Sequence, residues 1–191
     1  MSETLSTTPS QTVGPFFAIG LPWSGGETLY SQATLGERIT ITGRVLDGDG
    51  NPVGDALIEI WQANAAGRYA HPEDTRDDVP LDPAFIGFGR CGTDADGTFT
   101  FHTIRPGCVP GPSGSLQAPH LAMHVLARGL LRALITRVYF EESPENDADP
   151  ILALVPAERR TRLIARRTSE NDAYRFDIVL QGEGQSIFFS C

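Results

Sequence analysis

The sequence contains no lysine. All 15 basic residues are arginine, set against 24 acidic ones, for a formal net charge of -9. So acidic a chain repels phosphate backbones, which excludes nucleic acid as the expected partner. Arginine-only usage suits fixed, bidentate contacts with carboxylates, and a genome's base composition produces the same bias. Long apolar runs are also missing. No stretch approaches the roughly 20 residues that a membrane-crossing helix needs. Met1–Ser10 is polar, with neither a basic start nor an apolar core, so no secretory leader is expected. Cysteine is scarce: Cys91, Cys108 and Cys191 are odd in number and far apart. That excludes a zinc-type spacing and argues against a disulfide framework. Free thiols in a reducing, cytoplasmic compartment are the expectation.

What remains is an ordinary globular composition, 40% hydrophobic and 20% charged over 191 residues, enough to bury one core without covalent staples. Two regions are expected: an N-terminal arm over 1–36, poor in periodic apolar positions, and a core domain over 37–191. Within the arm, Phe16 and Phe17 follow a Gly14-Pro15 turn, and such a pair is expected to pack against the body or a partner. From Arg38 the pattern alternates, Ile39, Ile41 and Val45 against Thr40, Thr42 and Arg44. Similar segments recur at Leu57–Trp61, Gly97–Ile104, His120–Ala127, Ala133–Phe140 and Tyr174–Gln181. Short strands between Gly/Pro/Asp turns predict an all-β, antiparallel β-sandwich. One helix is expected over about Pro156–Arg167, with proline in its first turn. The loops at 62–86 and 105–119 are too long for hairpins, and such loops commonly carry function. Asp47, Asp49 and Asn51 open like a calcium loop, but Pro52 and Ile58 stand where glycine and glutamate are required. Asp94 to Gly97 fails in the same way, so both are predicted to be plain turns.

Several stretches in fixed order carry a resemblance. They are Gly43-Arg44-Val45-Leu46-Asp47, Ile60-Trp61-Gln62-Ala63-Asn64-Ala65-Ala66-Gly67-Arg68-Tyr69 and Gly89-Arg90-Cys91-Gly92-Thr93-Asp94. Three more are Thr103-Ile104-Arg105-Pro106-Gly107, Thr136-Arg137-Val138-Tyr139-Phe140 and Tyr174-Arg175-Phe176-Asp177-Ile178. Together they resemble the intradiol ring-cleaving dioxygenases. The resemblance implies a β-sandwich and cleavage of a catechol between its hydroxyls by O2 at a mononuclear non-haem Fe(III). It also implies four ligands: two tyrosines and a His-x-His pair. Hard Fe(III) suits phenolate oxygen, and imidazoles complete the shell. Residues i and i+2 of a strand face one way, roughly 6.6 Å apart, so both rings of such a pair reach one ion.

Only half of that set is present. Tyr69 matches the first tyrosine and His120 the first histidine, whereas Val109 and Ala122 occupy the other two places. Gln117 stands where the family usually has arginine, three residues before the first histidine. His124 shares a face with His120 but lies about 13 Å along a strand, too far to replace its partner. No metal is therefore expected on this chain. Within the family, some enzymes pair a ligand-bearing chain with a chain of the same fold that lacks a full set. The resemblance implies that this chain is of the second kind, with Fe(III) on a homologous β-type partner and a small aromatic substrate. It further implies that Thr12, Gly14 and Pro15 lie near the active site and that Arg128 lines its entrance. Phe16 departs from the pattern, which commonly has a hydroxylated aromatic there. Two alternatives stay open: a self-sufficient, homo-oligomeric catechol-type enzyme, and a non-enzymatic β-sandwich binding module.

Overall fold

The computed structural model describes residues 8–14, 16–170 and 172–190. Its strands are β1 (Arg38–Leu46), β2 (Leu57–Trp61), β3 (Phe88–Gly92), β4 (Thr98–Ile104), β5 (Val109–Pro110) and β6 (Leu116–Gln117). They continue with β7 (His120–Leu126), β8 (Leu134–Phe140), β9 (Ile164–Arg167), β10 (Ala173–Arg175) and β11 (Ile178–Val179). Nine of them form one sheet in the order β11-β1-β10-β9-β8-β7-β2-β3, with β4 also paired to β1, while β5 and β6 pair separately. Because β9 bonds to both β8 and β10, the sheet doubles over. The half around β1 and β4 faces the half around β2, β7 and β8.

The alternation in β1 explains why the two halves close. Ile39, Ile41 and Val45 are buried, and the threonines between them are only half covered. Their inward side chains meet Ile58, Ile60, Phe99, Phe101, Leu121, Met123, Val125, Val138 and Phe140 in one core. Each such side chain stabilises the fold by about 1.5–3 kcal/mol. Two polar groups also span the layers. Buried Gln62 donates to the Ile104 carbonyl at 2.9 Å and accepts from the Thr103 hydroxyl at 2.7 Å. Arg105 donates to Ser143 at 2.6 Å and pairs with Glu142, which also accepts from the Tyr174 hydroxyl.

The β-sandwich expectation holds, with corrections of detail. The sheet is mixed, because β1–β10, β1–β11 and β8–β9 run parallel. Residues 141–163 make the crossover that a parallel neighbour of β8 requires. The helix expected over Pro156–Arg167 is a 3-10 helix at Ala157–Leu163 followed by β9. Leu163 and Ala165 are the buried positions there, and their spacing of two suits a strand end. Among the described residues the α-helix is Phe17–Gly20, in the arm. The strand expected over Tyr174–Gln181 is interrupted. Its pairing with β1 lapses opposite Gly43 and Arg44, where the Asp177 carboxylate takes the Arg44 N–H at 2.9 Å. A Cβ on Gly43 would stand 1.8 Å from the Phe176 carbonyl, so only glycine permits this approach. β3 was not expected, since its two glycines hide the alternation.

Both aspartate-rich segments are turns. The Asp47 carboxylate accepts from the N–H groups of Asp49 and Asn51, and that of Asp94 from Asp96 and Thr98. The described part of the arm lies along the body. Arg90 of β3 donates to the Leu21 carbonyl, stacks over Trp23 and pairs with Glu59. Phe17 is buried, whereas Phe16 is 76% exposed.

Candidate functional site

The two long loops meet over one end of the β2–β7–β8 face. Asn64 fixes the first of them. Its side-chain oxygen accepts from Ala66 and Arg68 N–H, and its side-chain nitrogen donates to the Pro80 carbonyl at 2.9 Å. The loops touch at Gly67, whose φ is +84° and where a Cβ would lie 2.0 Å from the Cys108 carbonyl. Tyr69 is then held by its N–H on the Asp74 carboxylate at 2.8 Å and by stacking on Trp61, with centroids 5.9 Å apart. Asp74 is in turn bound to Arg76 at 2.6 Å, and that guanidinium holds its carboxyl well below the usual range.

A cavity of about 440 Å³ lies between these loops and the sheet, and Tyr69, Val109, Gln117 and His120 all line it. Both long loops, 62–86 and 105–119, contribute residues to its lining. Ala122 falls just outside, in a smaller hollow with Glu59, Phe88 and His124. His124 is about half exposed, 3.8 Å from Glu59, and does not reach the cavity.

His120 is 5% exposed and its Nδ1 lies 2.7 Å from the Ala118 carbonyl, so Nδ1 carries the proton and Nε2 a lone pair. Burial, reinforced by the Arg137 charge, pushes its pKa down to about 4, and the ring is neutral at pH 7. Burial raises the Tyr69 pKa, so its phenol is a hydrogen-bond donor at neutral pH. Neither the Tyr69 hydroxyl nor His120 Nε2 has a hydrogen-bond partner among the described residues.

Arg137 is the residue that sequence reasoning missed. It sits on β8 directly opposite Ala122, and Trp61 sits opposite Ala122 on the other side. The row Trp61–Ala122–Arg137 therefore crosses three strands on one face. Alternation in Leu134–Phe140 gave a signal: Arg137 shares the face of Tyr139, the cross-strand neighbour of His120. The Arg137 guanidinium enters the cavity and donates to Gln117 Oε1 at 2.5 Å.

An Fe(III) ion does not fit this arrangement. Val109 and Ala122 offer no donor atom, and a guanidinium shares the cavity with the two donors that remain. Among the described residues no three His, Cys, Asp or Glu side chains converge as a metal site. Cys108 lies outside the cavity lining, and its burial raises the thiol pKa.

Two of the other expected site residues, Thr12 and Arg128, meet beyond the far end of β7, roughly 20 Å away along the strand. There the Thr12 hydroxyl accepts from Gly129 N–H at 2.9 Å, next to Arg128. Arg128 pairs with Asp55 on the surface, its side chain 66% exposed. Gly14 is open, with nothing within 4 Å of a Cβ placed on it. Pro15 lies outside the described residues.

The comparisons with known proteins agree with this architecture. The family described as "Dioxygenase" matches residues 13–182. The chain belongs to the intradiol ring-cleavage dioxygenases, a family of non-haem iron enzymes. It is 44% identical over 201 residues to the protocatechuate 3,4-dioxygenase alpha chain of Burkholderia cepacia, covering 97% of this chain and 98% of that one. The beta chain from the same organism is 47% identical over 156 residues, 78% of this chain and 66% of that one. Among solved structures, the dioxygenase domain of a carbohydrate-binding fusion protein from Streptomyces sp. SirexAA-E superposes with a TM-score of 0.63. It is 28% identical, covering 82% of this chain and 87% of that one. No helix among the described residues is long and apolar enough to cross a membrane.

Proposed function

We propose that this chain is the iron-free, α-type subunit of a protocatechuate 3,4-dioxygenase, completed by a homologous β-type chain that carries the Fe(III). The pair would cleave protocatechuate between its hydroxyls, placing both atoms of O2 in the product, 3-carboxy-cis,cis-muconate. The observation that carries this reading is the set of ligand positions: two of the four are Val109 and Ala122, and the Arg137 guanidinium lines the cavity that Val109 shares with Tyr69 and His120. Similarity to an alpha chain along nearly the full length of both supports it, as does the likeness to a beta chain.

On this reading the arm, residues 1–36, works at the subunit interface, and the domain over 37–191 is the scaffold. The exposed Phe16, Ile19, Leu21 and Trp23 supply apolar surface for the partner. Thr12, Gly14, Pro15 and Phe16 wall the partner's pocket and help to exclude water, which strengthens electrostatic interactions inside it. Arg128 offers the substrate carboxylate a guanidinium. Cys91 and Cys108 are free, which suits the cytoplasm.

The test is to purify the chain alone and again after co-expression with a β-type partner, measuring iron and ring cleavage on both. The expected result is a colourless, inactive single chain and an iron-bearing, active complex. One equivalent of iron on the lone chain, with a phenolate-to-iron absorption band, would overturn the reading in favour of a self-sufficient catechol-type enzyme.

A further inference from the structure

The cavity that lacks a full set of metal ligands is not collapsed. It keeps about 440 Å³, within the range of small-molecule sites. Its polar groups are arranged around a cation that has no carboxylate partner among the described residues. The only hydrogen bonds that the Arg137 guanidinium makes among the described residues are from Nη1, to Gln117 Oε1 at 2.5 Å and the Tyr139 hydroxyl at 3.4 Å. Both partners are neutral, and its Nε and Nη2 are uncommitted.

The acids nearby do not answer that charge. Asp74 is bound to Arg76, and Glu73 is exposed at the rim. Asp149 is reached only through the Tyr139 hydroxyl, and it already accepts from the N–H groups of Ala118, Ile151 and Leu152. A half-buried guanidinium with a free edge is a bidentate receptor for a carboxylate. Beside it, His120 Nε2 presents a lone pair from a residue 95% buried, as its 5% exposure states, and lacks a partner among the described residues. That atom accepts a hydroxyl proton. The Trp61–Tyr69 stack supplies a flat apolar wall.

We propose that this cavity binds a planar hydroxylated aromatic carboxylate without metal, its carboxylate on Arg137 and its hydroxyl on His120. The chain would thus hold a non-catalytic aromatic-acid site of its own. The inference rests on the iron-free reading given above.

The test uses the full chain, metal-analysed, with 4-hydroxybenzoate as the probe and 4-hydroxybenzamide as its uncharged counterpart. The chain has two tryptophans, and Trp61 lines the cavity, so ligand binding should change the intrinsic fluorescence. The expected result is saturable binding of the acid at one site per chain, with the amide weaker by about tenfold or more. Trp61→Phe removes the optical signal while calorimetry still detects the ligand. Arg137→Gln abolishes the preference for the acid. Gln117→Glu, which sets a carboxylate against Arg137 with little change of shape, abolishes it too, and keeps the test valid if the Arg137 variant misfolds. No saturation by concentrations on the order of several millimolar overturns the site. So does equal binding of acid and amide, or unchanged affinity in either folded variant. Iron at one equivalent per chain overturns both this site and the iron-free reading, whereas a metal-free chain that fails to bind overturns this site alone.

Discussion

The two ends of β7 are built on opposite principles. At the His120 end, polar groups are buried and mostly satisfied: the Asp149 carboxylate, on a residue 1% exposed, accepts from three amides and a phenol. At the Arg128 end, the corresponding contacts lie in water: an ion pair with Asp55 and a single bond from Gly129 to Thr12. Buried hydrogen bonds are costly to break because the stranded group loses water as well as its partner. Exposed ion pairs are worth little. The cavity end is therefore rigid on its own account, while the arm end is a surface prepared for something else to cover.

Three changes separate the ends, beginning with the largest. Leu121 lies fully buried in the strand that joins them. Leu121→Ala should cost about 2–5 kcal/mol in denaturant unfolding, and both ends should lose protection from hydrogen exchange together. A loss confined to one end would refute their common support.

Acid should act on the cavity end through His120. The His120 pKa falls from 6.5 in the unfolded chain to about 4 in the folded one. Between those values the unfolded state binds a proton that the folded state refuses. The stabilisation is therefore complete above pH 6.5 and is lost as pH drops towards 4, about 3 kcal/mol in all. Urea titrations across that interval should show it, and His120→Gln should flatten this part of the profile. An unchanged slope in that variant would assign the acid sensitivity elsewhere.

The smallest stability change belongs to Arg128. Arg128→Leu should alter stability by less than about 1 kcal/mol, since its pair with Asp55 is solvent-exposed. In the complex with a β-type chain it should lower turnover of protocatechuate by about tenfold while sparing uncharged catechol. Equal losses for the two substrates would reduce Arg128 to a link between chains.

Much of this was legible beforehand because it follows from period-two patterning. Five strands, the β-sandwich class and both long loops come from local residue order. The strand over 164–167 was not legible, because arginines fill half of it and its pairing with β8 arrives through a crossover. β3 escaped for a different reason: Gly89 and Gly92 have no side chains to alternate. At the site, the deficit of ligands could be read residue by residue, from Val109 and Ala122. The cation that fills the deficit could not, since Arg137 becomes a neighbour of Ala122 only once β7 and β8 align. A register is a long-range fact, and one sequence states it only indirectly.

The Asn64 bonds to Ala66, Arg68 and Pro80 have a last consequence. They shape the first loop through protein groups, as a frame holds a panel flat. On the iron-free reading proposed above, a fold so supported keeps its stability without a metal. Duplicated copies of such a chain are then free to divide labour, one carrying the chemistry and the other putting its cavity to a different use.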